Sequence, residues 1–337
     1  MTAKMRAIRL DAIGPPGNLA LVEIDRPELT PDGILIRNAY AGMIYADAEA
    51  RRGTYYRETT CPWFPGREAA GVVEAVGHDV RGIECGERVA ALVLAGGCYA
   101  EYVLARTAPQ TGSGGRTVPP SDVVKLPHGV SFTQALVYLV NFRLAHLLVH
   151  AWARLKVDSR IVVHGAAGGM GSMNLQLARE LGCESIALVR TDDEGGFCRR
   201  IGASHVVVTT RTDYVEEVRG LTGGAGATHS FNGVGGETIN RDPRMLAPFA
   251  ELHCYGYVAG KVPFDVFATD RTLALKTFNA DVFRGTDAFS AATAAMHRWF
   301  ASGPLLDAGE VFPLARAADA HTAIEAGNVL GKIVLQT

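Results

Sequence analysis

Residues 161–171 read IVVHGAAGGMG, and no other stretch restricts the architecture of this chain as strongly. The β-branched run Ile161, Val162 and Val163 predicts a buried strand, and Gly165, Gly168, Gly169 and Gly171 follow at once. Met173, Leu177 and Leu181 then recur at helical spacing. Strand, tight glycine turn and helix start, in that order, bring backbone N–H groups and the positive end of a helix dipole to one point. A pyrophosphate can be held there. The spacing is GxxGGxG rather than the stricter GxGxxG, so the inference rests on the flanking strand and helix more than on the glycines alone.

The next strand, expected at 185–189, bears on which dinucleotide would bind. A carboxylate about 20 residues past the glycines would accept bonds from the ribose hydroxyls of NAD. Arg190 stands there instead, followed by Thr191. A guanidinium cannot accept such a bond, but it pairs well with a 2′-phosphate. NADPH is therefore favoured. Asp192, Asp193 and Glu194 follow directly and would repel a phosphate if they faced it; as the first turn of the next helix they would be favourably placed.

Strands expected at 161–164, 185–189, 205–208, 227–231 and 251–255 alternate with helical patterns, which implies a parallel, doubly wound sheet. Residues 1–105 carry short alternating runs such as ILIRNAYAG and AAGVVEAVG, the pattern of an antiparallel, barrel-like domain. Residues 106–121, RTAPQTGSGGRTVPPS, have no periodicity and read as a long loop, either a solvated connection or a lid over a bulky substrate. Helices are expected at 289–301 and 315–326, before a last strand KIVL. With 337 residues the chain can bury two cores, and its net charge of −2 argues against nucleic acid or a membrane surface as partner. No 18-residue apolar run is read, so no membrane span is expected, and the N-terminus lacks the apolar core of a signal peptide. Six scattered cysteines without a CxxC pair read as free thiols of a reducing, cytoplasmic compartment.

The segments GPPGNLALVEIDRP, PGREAAGVVEAVG, CGERVAAL, GGCYAEYV, VVHGAAGGMGSMNLQLA and VFPLARAADAHTAIEAGNVLGKIVL follow one another across nearly the whole chain. Together they resemble the medium-chain dehydrogenase/reductase superfamily, in its zinc-independent quinone oxidoreductase and enoyl reductase branch. The resemblance implies an α/β protein in which a GroES-like β-barrel catalytic domain (1–133 and 271–337) flanks a Rossmann NADP(H)-binding domain (134–270). It further implies an active site in the cleft and a homodimer. Cofactor contacts are expected from Asn141, from Ala167, Gly168, Gly169, Met170 and Gly171 of the turn, and from Arg190, Thr191 and Arg211. Gly233, Val234, Tyr255 and Gly256 complete the expected set.

Zinc-dependent relatives place a cysteine where this chain has Ile44, a histidine where it has Arg67, and their third ligand at or near Asn141. None of the three ligates Zn²⁺ well, and the clustered structural cysteines of those relatives are absent, so no catalytic metal is expected. Conjugate reduction of an activated alkene remains: hydride to the β-carbon, then protonation of the enolate. The resemblance puts Tyr55 of RRGTYY at the position of a proton donor, against the plainer reading of a packing tyrosine at the cleft rim. Tyr56, on a segment read as extended, would point to the other face. Asp47 and Arg51, four residues apart, read as a structural pair, and His164 as a core histidine. Departures from the family pattern fall at Ile44, Leu144, Glu194 and Asn232. Three functions stay open: an NADPH-dependent reductase of a small-molecule or carrier-bound unsaturated carbonyl, an NADPH:quinone reductase, and a non-catalytic NADPH-binding protein.

Overall fold

Short strands with one apolar face pair early in this chain because each has a side to bury and a side to leave wet. The computed structural model describes residues 3–111, 117–265, 271–327 and 329–337. The chain divides into two compact units, 1–140 with 297–337, and 141–296. The divisions expected from sequence lay at 133/134 and 270/271.

In the first unit, β1 (Lys4–Leu10) and β2 (Leu19–Asp25) form an antiparallel ladder. A seven-stranded sheet holds β3 (Gly33–Gly42), β4 (Glu68–Val76), β5 (Arg88–Leu92), β6 (Tyr102–Arg106), β9 (Asp122–Lys125), β16 (Glu310–Pro313) and β17 (Ile333–Gln336). Its order is β16-β17-β3-β4-β5-β9, with β6 also on β3. Single bridges, Ala7 to Ala100 and Leu10 to Trp63, tie the ladder to neighbouring segments and wrap the sheet towards a barrel. One core gathers Ile34, Ile36, Val73, Val89 and Val103; a second joins Ile8, Leu10 and Met43 to Leu314 and Leu335. The tail thus completes the fold begun by the first residues. The 106–121 stretch is not an unstructured loop throughout: β7 (Gln110–Thr111) pairs with β8 (Thr117–Val118), while residues 112–116 lie outside the described residues. A ladder of two residues on each side is too short for any periodicity test to reveal.

The second unit is built on six parallel strands: β10 (Arg160–His164), β11 (Glu184–Val189), β12 (His205–Val208), β13 (Ala227–Asn232), β14 (Leu246–Cys254) and β15 (Ala274–Thr277). Their order, β12-β11-β10-β13-β14-β15, makes the winding reverse between β10 and β13, the point at which such sheets open a crevice beyond the strand ends. The short sixth strand was not foreseen. Crossovers run through α4 (Gly169–Leu181), α5 (Asp192–Ile201) and α6 (Tyr214–Leu221). Val162, Ile186, Leu188, Val215, Val218 and Leu252 are buried together between sheet and helices, which explains the nearly unbroken apolar strands. Helix boundaries follow local chemistry. Thr191 caps α5 by accepting the Glu194 N–H at 3.2 Å, Asp192, Asp193 and Glu194 form the acidic first turn, and Gly202 ends it at φ 108°. One sequence expectation needs correcting: the helical stretch Phe132–Trp152 is long and apolar enough to cross a membrane, yet 72% of it is buried inside the protein, as in a core helix.

Candidate functional site

The glycine turn leaves the end of β10, the strand at which the winding reverses. Gly165 takes φ +57°, a left-handed conformation that glycine adopts without penalty, and turns the chain towards α4. A Cβ on Gly171 would lie 2.4 Å from the Gly165 carbonyl oxygen and 2.7 Å from Ala166 Cα, so only glycine lets the helix start this close to the strand. A Cβ on Gly169 would sit 2.5 Å from Asn141 Nδ2, which places the Asn141 amide against the turn. Gly168 caps the helix without any side-chain acceptor, whereas Thr191 and Asp213 cap α5 and α6 with their side chains. The first turn of α4 thus offers its N–H groups to an outside acceptor, which suits a pyrophosphate.

Two further loops close on the same edge. A Cβ built on Gly165 would meet Val234 Cγ2 at 3.6 Å. Gly233 packs under the Tyr255 ring, where a Cβ would come within 2.4 Å, and a Cβ on Gly256 would strike the Gly233 carbonyl oxygen at 2.4 Å. Asn232 shapes this corner from inside: its Oδ1 accepts the N–H groups of Val234 (3.0 Å) and Gly235 (2.9 Å). Its amide donates to Asp242 at 2.9 Å. The fully buried Asp242 carboxylate also receives Ser230 Oγ at 2.7 Å and the His164 ring at 2.8 Å. His164 therefore orders the loop from below, and Asn232 organises the loop from within. The carboxylate that sustains this network, Asp242, was not singled out from sequence, since these partners lie on two other segments, β10 and β13.

Arg190 and Arg211 stand beyond the ends of the adjacent strands β11 and β12. Each guanidinium already has a carboxylate. Glu194 accepts the Arg190 backbone N–H at 2.6 Å and approaches its Nη2 at 3.4 Å, and Arg211 pairs with Asp192. The acidic first turn of α5 thus serves both helix and arginines. A phosphate arriving here would exchange one anion for another.

In the other unit, Ile44 precedes α1 (Tyr45–Arg52) and its backbone N–H donates to Asp47, a fully buried carboxylate. Arg67 pairs with Asp47 at 3.0 Å and Tyr99 Oη donates to it at 3.3 Å. Burial pushes the Asp47 carboxyl up, against the opposing pull of Arg67 and the Ile44 N–H, and drives the Tyr99 hydroxyl well up. Asp47 does not pair with Arg51, contrary to expectation; the buried Arg51 turns instead to Glu325 and the Gly14 carbonyl. Tyr55 is half-buried, with the Arg67 guanidinium 4.9 Å from its ring centroid. The segment around it bends, and the Tyr55 and Tyr56 rings meet at 4.4 Å, so Tyr56 does not point to an opposite face. All six cysteines are free thiols.

Residues 30–112 match the family model for the alcohol dehydrogenase GroES-like domain, and residues 169–300 that for zinc-binding dehydrogenases. The quinone oxidoreductase of Homo sapiens is 28% identical over 337 residues, covering 98% of this chain and 97% of its own length. A 2-haloacrylate reductase of Burkholderia sp. is 28% identical over 253 residues, 73% of this chain and 72% of its own. The crystal structure of Escherichia coli quinone oxidoreductase complexed with NADPH superposes with a TM-score of 0.88 at 25% identity, covering 99% of this chain and all of that one.

Proposed function

The chain belongs to the medium-chain dehydrogenase/reductase superfamily, in its quinone oxidoreductase-like branch, and on that premise we propose that it is an NADPH-dependent reductase of conjugated carbonyl compounds. The observation that carries this reading is the uncapped start of α4 behind a turn so tight that a Cβ on Gly171 would come within 2.4 Å of a carbonyl oxygen. Such a cradle fits a dinucleotide pyrophosphate. NADPH, when bound, supplies a hydride. The residues that would hold it are the backbone of Gly168–Gly171, Asn141 beside the turn, the Gly233–Val234 and Tyr255–Gly256 corner, and Arg190, joined by Arg211, at the 2′-phosphate. Ile44 carries no ligand atom and Arg67 is engaged with Asp47, which supports a reaction that uses no metal at those positions.

Hydride on the β-carbon of an enone or enoyl thioester leaves charge on the carbonyl oxygen and a need for a proton at the α-carbon. We assign that proton to the Tyr55 hydroxyl. Quinone reduction is the second reading, favoured by the names of the human and Escherichia coli relatives; a quinone accepts the same hydride and takes one proton from water. The name of the Burkholderia relative favours the alkene. The cysteines, all unpaired, suit the reducing cytoplasm, and a homodimer is proposed from the family resemblance. The test is NADPH consumption, followed by absorbance, across matched panels of enones, enoyl thioesters and quinones. Turnover confined to quinones would replace the leading reading with the second, and binding of NADPH without turnover of any substrate would refute both.

A further inference from the structure

In the nucleotide-binding unit, three side chains that the redox reading does not use converge between neighbouring strands. His229 on β13 pairs in register with Glu251 on β14, and His253 lies two residues further along β14 on the same face. One ligand-capable atom from each lies within 4.8 Å of the others. His229 Nε2 is 3.9 Å from Glu251 Oε2, and His253 Nε2 is 3.0 Å from that same oxygen.

The hydrogen bonding around these groups is incomplete. Thr228 Oγ1 donates to the Arg160 carbonyl at 3.0 Å, so its 2.8 Å contact with His229 Nδ1 requires the imidazole to be the donor. The neutral ring then carries its proton on Nδ1 and turns a bare Nε2 lone pair towards a carboxylate oxygen. The His253 side chain is fully buried, and among the described residues neither of its nitrogens makes a well-aligned hydrogen bond, although its Nε2 lies 3.0 Å from Glu251 Oε2. Glu251 Oε2 is likewise unpartnered, while Lys276 holds Oε1 at 2.6 Å and leaves Oε2 directed at the rings. A buried polar group with no partner is costly, and here two such groups, His253 and Glu251, lie side by side.

We propose that His229, Glu251 and His253 form a binding site for a divalent transition-metal ion of borderline softness, Zn²⁺ above all. Two neutral imidazoles and one carboxylate are a donor set that Zn²⁺ takes. Tetrahedral bonds of about 2.0–2.1 Å would set ligand atoms roughly 3.3 Å apart, inside the range that these groups span. Thr228 behind His229 and Lys276 behind Glu251 supply the outer partners that orient metal ligands. His229 and Glu251 also line a cavity of about 590 Å³, with Trp152, Lys156, Asp158 and Ser159 among its walls. The cavity gives an ion a path in and leaves room for water at a fourth position. The site is separate from the glycine turns, and its assignment does not depend on the substrate of the reductase.

The test uses the full chain, stripped with a chelator and dialysed, then titrated with Zn²⁺ against a chromophoric competitor and with Co²⁺ by visible absorption. One ion per chain, a rise in Tm on Zn²⁺ addition and tetrahedral Co²⁺ bands without thiolate charge transfer are expected. His229→Ala and Glu251→Gln, both at the cavity wall, should each abolish stoichiometric binding and the Tm rise while retaining the native circular dichroism. His205→Ala, on the far edge strand, should keep both. Absence of stoichiometric binding at micromolar Zn²⁺ in the unaltered protein, a thiolate band, or binding that survives both cavity variants would overturn the proposal.

Discussion

Arg190 should set the choice between NADPH and NADH, and its surroundings allow the size of the effect to be worked out. Its side chain is 47% exposed and shares Glu194, itself 11% exposed, at 3.4 Å. A hydrogen bond from a guanidinium to a charged phosphate contributes about 1.5–3 kcal/mol. Loosening a half-exposed pair with Glu194 costs back roughly 0.2–1 kcal/mol. The difference, about 0.5–3 kcal/mol, corresponds to a preference for NADPH of roughly 2- to 100-fold from this residue. Arg190→Ala should bring the two dissociation constants together, chiefly by weakening NADPH. Glu194→Gln keeps an oxygen for the Arg190 N–H while removing the competing charge, so it should tighten NADPH severalfold and leave NADH unchanged. Calorimetric titration with both nucleotides at one fixed salt concentration measures both dissociation constants for each variant. Equal affinity for the two nucleotides in the unaltered protein, or a ratio that Arg190→Ala leaves intact, would refute the assignment.

Gly171→Ala places a methyl group 2.4 Å from a backbone oxygen, so it should destabilise the fold by about 1–3 kcal/mol in urea melts and abolish nucleotide binding. Tyr55→Phe should lower kcat for an enone by about 10²-fold with Kd for NADPH unchanged, and a loss under about threefold would make water or a cofactor ribose hydroxyl the donor. Tyr56, in contact with the Tyr55 ring, is a poor control for that variant, because changing it disturbs Tyr55 packing. The Arg106 guanidinium hydrogen-bonded to Asp32 holds the Asp32 carboxyl down at about 2. A depressed carboxyl stabilises the fold above its unfolded value, and that stabilisation is lost as pH falls from about 4 towards 2. With Arg106 one-third exposed, it amounts to about 1–2 kcal/mol, and Arg106→Met should shrink the difference in urea stability between about pH 6 and pH 2 by that much.

The nucleotide-binding unit was legible wherever one segment of chain carries its own reason for its shape. Gly165, Gly168 and Gly171 announce a turn because a backbone at φ +57° and a carbonyl 2.4 Å from a Cβ position are demands that a single residue type meets. The strands β10 and β11 show as apolar runs because both faces are covered, and Thr191 with Asp192–Glu194 marks the start of α5 by chemistry confined to four residues. The short strand Ala274–Thr277 and the ladder that joins Gln110–Thr111 to Thr117–Val118 escaped that reading, being defined by what pairs with them rather than by their own pattern.

Sequence alone therefore determined the elements whose geometry is local: the glycine turn, the alternation of strand and helix, the arginine at the end of the second strand. Tertiary structure alone decided which charges meet. Arg67 reaches back twenty residues to Asp47 instead of leaving Asp47 to Arg51, and Asn232, Ser230 and His164 converge on Asp242. His229 comes beside Glu251 and His253 only because β13 and β14 lie in one register. The physical reason is the range of the forces involved. Backbone sterics and helix capping act within a few residues, whereas buried hydrogen bonds and ion pairs depend on distances of about 3 Å between segments that only the packed sheet brings together.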